Sequence, residues 1–203
     1  MPLPRLDVSQ RKYAEKMQSL RDLVFNIGQL EAKYQKLVAE LVLLRLSAVL
    51  SDTVSAVAAK VVCGARYLDG AAPVPLVTSR SVARANHLMK THGRRKPYKY
   101  LKWNNVRQIR DNVKHVLKGN EHLTSALVPY ATMLEEIRVV RNHIAHRNAN
   151  SLSHFRGIVT RYYGAYVRTV TPGMLLLSSR SSPPLLENWI NSTSLLVKEI
   201  VKA

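Results

Sequence analysis

The fold turns on the stretch Leu134-Glu135-Glu136-Ile137-Arg138-Val139-Val140-Arg141-Asn142-His143-Ile144-Ala145-His146. Apolar residues lead into it at Leu123, Leu127, Tyr130, Leu134 and Ile137, in steps of four and three, and the series resumes at Ile144. Such steps bring one residue per turn to a single face, so the spacing predicts an α-helix from about Glu121 to the vicinity of Arg147. The slot between Ile137 and Ile144 falls to Arg141. A guanidinium keeps its charge and is expensive to desolvate, so on an apolar stripe it calls for an anion or a dense set of acceptors. That anion need not belong to the chain. Otherwise the side chain snorkels to the surface or meets a carboxylate of another helix.

At about 100° per residue, Glu135, Arg138, Asn142, Ala145 and His146 share the flank beside Arg141. This seam mixes fixed cations, an amide and a titratable imidazole. The residues three and four positions from Arg141 are Ile137, Arg138, Ile144 and Ala145, so no local carboxylate accounts for it, whereas Arg138 can pair with Glu135. His146, near the helix end, also suits a cation stabilised by the helix dipole.

Arg141 and Asn142, followed by Ala145 and His146, form the pattern R-N-x-x-A-H, which resembles the motif of the HEPN ribonuclease family. Met133 to Val140 and the Leu-rich segment Leu41 to Leu50 resemble the RiboL-PSP-type subgroup in particular. The resemblance implies an all-α HEPN-like helical bundle spanning residues 1–203 as one domain, with a long basic inter-helix insertion at about 70–104. It also implies a metal-independent endoribonuclease that needs no cofactor and works as a homodimer with the two motifs facing each other. In that family Arg141 and His146 correspond to the catalytic pair and Asn142 to a polar supporting residue. An acidic residue often sits on an earlier helix, for which Asp52 is the nearest candidate. Such enzymes serve as toxins or antiviral defence effectors, which leaves room for a neutralising antitoxin or another regulatory partner.

Composition agrees with a helical domain. A chain of 203 residues with 46% hydrophobic content can bury a sizeable core, and its apolar residues are mostly Leu, Val and Ala with few aromatics. Met1 to Asp7 lacks the apolar core of a signal peptide, and the run Leu41 to Leu50 is too short to span a bilayer and contains Arg45. These features predict a cytoplasmic protein that does not use a membrane. The lone Cys63 cannot form an internal disulfide and reads as buried filler at a helix end.

Thirty-one Lys and Arg stand against thirteen Asp and Glu, a formal charge of +18 that favours a polyanionic partner. Between Arg80 and Lys118 the cations are opposed only by Asp111. Tyr98, Tyr100 and Trp103 are interleaved with them, and unstacked bases lie on such rings while phosphates meet the cations. Arg94, Arg95, Lys96, Lys99, Lys102 and Trp103, with Arg138 on the motif helix, are therefore the candidate RNA-binding residues. The other reading is a solvated loop whose aromatics tuck into the bundle.

Elsewhere, Tyr13, Met17, Leu20, Val24 and Ile27 mark a first helix that Gly28 interrupts. Leu30, Tyr34, Leu37, Leu41 and Leu44 begin a second apolar phase running towards Val61, either as a separate helix or as the second arm of a kinked rod. A third helix follows Asn104 or Asn105, carries Val106, Ile109, Val113 and Val116, and closes at Gly119-Asn120. Leu152, Phe155, Val159 and Tyr162 continue at helical spacing after the motif. Tyr166 to Leu177 fits a helix, a hairpin or a loop. Ser182 as cap and Pro183 in the first turn start a last helix whose Leu186, Trp189, Leu196 and Ile200 face inward.

No second cysteine exists and no carboxylate sits at ligand spacing with the histidines, so a zinc site has no sequence support. Phosphate-binding Gly-rich loops and nucleophile elbows are missing as well. The chemistry that fits is RNA cleavage by the adjacent ribose 2′-hydroxyl, with Arg141 stabilising phosphoryl charge and His146 acting as base or acid. Five residues place His146 about 140° around a regular helix from Arg141. A two-fold dimer would bring two copies of the seam around one phosphate. The alternative is a non-catalytic RNA-binding helical module that retains the motif as a phosphate site.

Overall fold

In the computed structural model, which describes residues 3–203, the chain is all-α. Helix α1 (Leu6–Asn26) and α2 (Ala32–Val62) are joined by a 3₁₀ turn at Ile27–Gln29, so Gly28 separates two helices. Then follow α3 (Val82–Thr91), α4 (Val106–Val113), the single turn α5 (His122–Ser125), α6 (Ala131–His146), α7 (Ala149–Tyr163), the short α8 (Pro172–Leu176) and α9 (Leu185–Ile200). No strand occurs among the described residues; Pro75 and Leu117 form one isolated bridge.

Helix α2 is the central rod, against which α1, α3, α6, α8 and α9 all pack. Its 31 residues make it long and apolar enough to cross a membrane by length and composition, and half of its most apolar window is buried inside the bundle. One continuous apolar core runs from Leu6 through Leu43, Leu46 and Phe155 to Trp189. The basic insertion joins this core through Ala85, Met89 and Trp103.

Side-chain caps set four of the helix starts. Ser81 accepts from Arg84 N at 3.2 Å and Asn105 from Gln108 N at 2.9 Å, each satisfying an orphan donor of the first turn. Asn148 and Ser151 exchange both bonds of a capping box, so only two residues separate α7 from α6. Thr171 caps α8 with Pro172 at its first position, a helix in the segment that the sequence left open. Gly173 of α8 approaches α2 so closely that a Cβ would lie 2.5 Å from the Lys36 carbonyl oxygen.

Several expectations are corrected. The predicted helix from Glu121 to Arg147 is broken at Pro129, which cannot donate to a helical ladder and sits in the 3₁₀ turn Val128–Tyr130 before α6. The last helix is not capped by Ser182; it begins at Leu185 behind Pro184, although Leu186, Trp189, Leu196 and Ile200 are buried as expected. The apolar phase of Leu30, Tyr34, Leu37 and Leu41 faces solvent, and α2 instead buries Ala39, Val42, Leu43 and Leu46. With two overlapping apolar stripes, the spacing alone did not choose between them. Cys63 is buried at the end of α2.

Candidate active site and nucleic-acid groove

The inward stripe of α6 runs through Leu134, Ile137 and Val140 to Ile144, in steps of three, three and four. Val140, fully buried, occupies the slot that the spacing had allotted to Arg141. Arg141 lies one residue and about 100° away, half-buried at the edge of the stripe. Its guanidinium donates to Asn142 Oδ1 at 3.1 Å, so the motif arginine and amide are in direct contact. The guanidinium meets no carboxylate among the described residues. Its charge is available to an external anion.

His146 is the last helical residue and is exposed. Arg147 then takes the left-handed conformation, φ 45°, ending α6 by donating its backbone N–H to the His143 carbonyl at 3.0 Å. A non-glycine residue there carries strain of roughly 1 kcal/mol. The buried Glu40 of α2 holds it, accepting from Arg147 Nη2 at 3.3 Å and from Gly173 N at 3.1 Å. Glu40 thus ties α2 and α8 to the end of the motif. Asp52, suggested by resemblance as the acidic contributor, lies on the exposed face of α2 and makes no bond to the motif.

His143 points to the other side. It stacks on Phe155 with centroids 4.7 Å apart, and Nδ1 lies 3.2 Å from Ser151 Oγ. Burial, helped by the neighbouring Arg147, holds its pKa below the usual imidazole range. It is a packing histidine. Beside it, the buried Glu136 accepts from Arg161 and from the Tyr162 hydroxyl at 2.8 Å, fastening α6 to α7; burial raises the Tyr162 pKa.

The basic residues divide into two groups. The Arg94 side chain is only 5% exposed: it donates to the carbonyls of Met89 at 2.9 Å, Asp111 at 2.5 Å and Asn112 at 3.1 Å, and stacks on Tyr98 at 4.0 Å. Tyr98 in turn donates to Asp111, whose carboxyl is held below its usual range by hydrogen bonds from Lys114 and Tyr98. Trp103 is buried at 8% exposure. Arg94 and Trp103 are therefore corrected from RNA-binding candidates to structural residues, consumed because a loop packed on the core must satisfy its carbonyls and hide its indole. Arg95 and Lys96 are exposed but lie outside the groove described next.

Lys99, Lys102 and Arg138 line an open groove of about 1000 Å³. Sequence reasoning had not singled out the Arg107, Arg110 and Lys114 that complete its cationic wall. Their signal was available: at i, i+3 and i+7 they share one face of the helix begun by Asn105. Tyr100, 63% exposed with the Lys102 ammonium 5.9 Å from its ring centre, is the groove's free aromatic face. Gln108 Oε1 is buried in the wall and accepts no hydrogen bond from the described residues. Arg138 reaches the groove from α6 while paired to Glu135, whose carboxyl that bond holds low; Asn105 donates to the same carboxylate at 3.4 Å. Among the described residues, no three His, Cys, Asp or Glu side chains are grouped to hold a metal ion.

The chain matches no protein-family model, no curated protein and no solved structure.

Proposed function

We propose that the protein is a metal-independent endoribonuclease of the cytoplasm, acting on single-stranded RNA as a homodimer. The observation that carries this reading is the continuity of the outer flank of α6. Arg138 forms part of the cationic groove, and one turn further on Arg141 and Asn142 stand in contact without a carboxylate, followed by the exposed His146. Phosphates lie along Lys99, Lys102, Arg107 and Arg110 while a base stacks on Tyr100. The scissile phosphate lies against Arg141, whose paired donors stabilise charge on the phosphoryl oxygens. The 2′-hydroxyl loses its proton and attacks phosphorus, the bond to the 5′-oxygen breaks, and that oxygen is protonated. His146 serves one of these proton transfers and the second copy's His146 the other. The products are a 2′,3′-cyclic phosphate and a 5′-hydroxyl. A role as toxin or defence effector, with a neutralising partner, accords with the motif resemblance.

The non-catalytic RNA-binding module is favoured by one observation: no hydrogen bond within the described chain orients the His146 ring, as a general base ordinarily requires. The test is purified protein with RNA in excess chelator. Cleavage to 2′,3′-cyclic ends, absent on 2′-deoxy substrates and lost in His146→Ala, supports the enzyme. Tight binding without cleavage, or cleavage that needs a divalent ion, refutes it.

A further inference from the structure

The outward face of α2 carries Leu37, Leu41, Arg45, Ala48 and Asp52, and every one of them is exposed. Leu41 shows 54% of its surface to solvent in the middle of the longest helix of the fold. No element of the described chain covers it. Among the described residues, Arg45 and Asp52 form no ion pair, although Arg5, Arg94, Arg138, Arg147 and Arg161 all do.

The positions of these two charges are complementary under a two-fold axis. Arg45 lies three residues before Ala48 and Asp52 four residues after it, about 4.5 and 6 Å along the helix. If two α2 helices cross antiparallel with the axis at Ala48, Arg45 of each copy comes level with Asp52 of the other. The ion pair is made twice. Ala48, small and exposed, lets the two backbones approach, and Leu41 falls over the half-buried Ser55 and Ala56 of the opposite helix, which leave room for it. The same charges argue against lipid as the occupant of this face, since Asp52 faces outward with the leucines.

We infer that α2 pairs antiparallel with α2 of a second copy of this chain about Ala48, with reciprocal Arg45–Asp52 contacts. The pairing deepens the proposed function, and only its consequence for catalysis rests on that reading. Helix α6 runs antiparallel to α2, with Arg147 bonded to Glu40 at one end and α5, just before it, bonded to Tyr67 at the other. Counting back six residues from Arg147 and forward eight from Glu40, Arg141 stands within about one helical turn of the level of Ala48. The axis that joins the α2 helices therefore brings both copies' Arg141 to within about one helical turn of the same level.

The test is assembly measured without RNA, by light scattering and analytical ultracentrifugation of the full chain. Wild type should be dimeric at micromolar concentration. Arg45→Glu and Asp52→Arg should each weaken the dimer at least about tenfold, because each places two like-charged pairs at the interface. The double variant Arg45→Glu/Asp52→Arg should return to within about threefold of wild type, a rescue that loss of folding would not give. Ala48→Cys should form a covalent dimer on mild oxidation, wild-type Cys63 being buried. A monomeric wild type, single variants as dimeric as wild type, absence of rescue, or a monomer that sediments with anionic vesicles would each overturn the pairing. A dimer with rescue that cuts no RNA keeps the pairing and removes the nuclease, whereas a monomer that cuts removes the pairing alone.

Discussion

On the α7 side of α6, the acid and the imidazole both find partners from the chain itself. Glu136 takes Arg161 and Tyr162, and His143 takes Ser151 and the face of Phe155. On the opposite side, among the described residues, Arg141 has only the amide of Asn142, His146 stands in solvent, and Arg138, paired to Glu135, opens onto a groove where Lys99, Lys102, Arg107 and Arg110 make no ion pair. The two flanks use similar residue types: cation, acid, imidazole, amide. Their difference is in satisfaction, and it separates side chains that the fold consumes from side chains left for a ligand.

The comparison breaks most visibly at Glu136. Removing this buried carboxylate strands the Tyr162 hydroxyl and unpins α7, so Glu136→Ala should lower the unfolding free energy by about 3 kcal/mol in urea titration. Half-exposed Arg161 can turn to water, so Arg161→Ala should cost far less. Equal costs would mean that the pair is a surface bridge and the inner flank no network at all.

Replacement on the outer flank should do the reverse. Arg141→Ala and His146→Ala should each slow RNA cleavage by at least about a hundredfold, about 2.7 kcal/mol of barrier, with stability changed by less than about 0.5 kcal/mol. A variant that loses stability and activity together would place its residue with Glu136.

The same division runs through the basic segment. Arg94→Ala should destabilise the protein by about 2 kcal/mol, since three backbone carbonyls lose a charged donor. Neutralising Lys99, Lys102 and Arg107 together should leave stability unchanged and reduce the salt dependence of RNA binding by about two units of log–log slope. If the slope does not move, phosphates do not lie in this groove.

The sequence disclosed this division only in part. Helix type, the Gly28 break, a cap at Asn104 or Asn105 and the pairing of Arg138 with Glu135 were legible because they depend on spacing within one element. Arg94 and Arg95 are adjacent and chemically identical, and only the long-range approach of Asp111 and Asn112 makes one structural and the other exposed. Arg141 was placed on the apolar stripe because steps of four and three and steps of three and four both connect Ile137 to Ile144. Burial of Val140 decided between them. Pro129 was a readable signal, and the continuous helix overlooked it.

The smallest effect expected is a pH dependence of stability on the inner flank. Burial depresses the folded-state pKa of His143, so the neutral ring is the form the native state prefers. In the unfolded chain the imidazole titrates near its ordinary value of about 6.5. Above that value both states hold the ring neutral and its contribution to stability is fully present. As pH falls through 6.5 towards the lower folded pKa, the unfolded state takes up the proton first and the contribution is lost. Asp111 and Glu135, both depressed, lose their contributions only at more acidic pH. His115 is shifted in the same direction as His143, so the isolating measurement is a difference. Urea midpoints of wild type and His143→Gln should diverge above pH 7 and converge towards pH 5, by less than about 1 kcal/mol for a partly solvated ring. A constant offset across that window would mean that His143 contributes by shape alone, and that satisfaction of its polar atoms is not what distinguishes the inner flank.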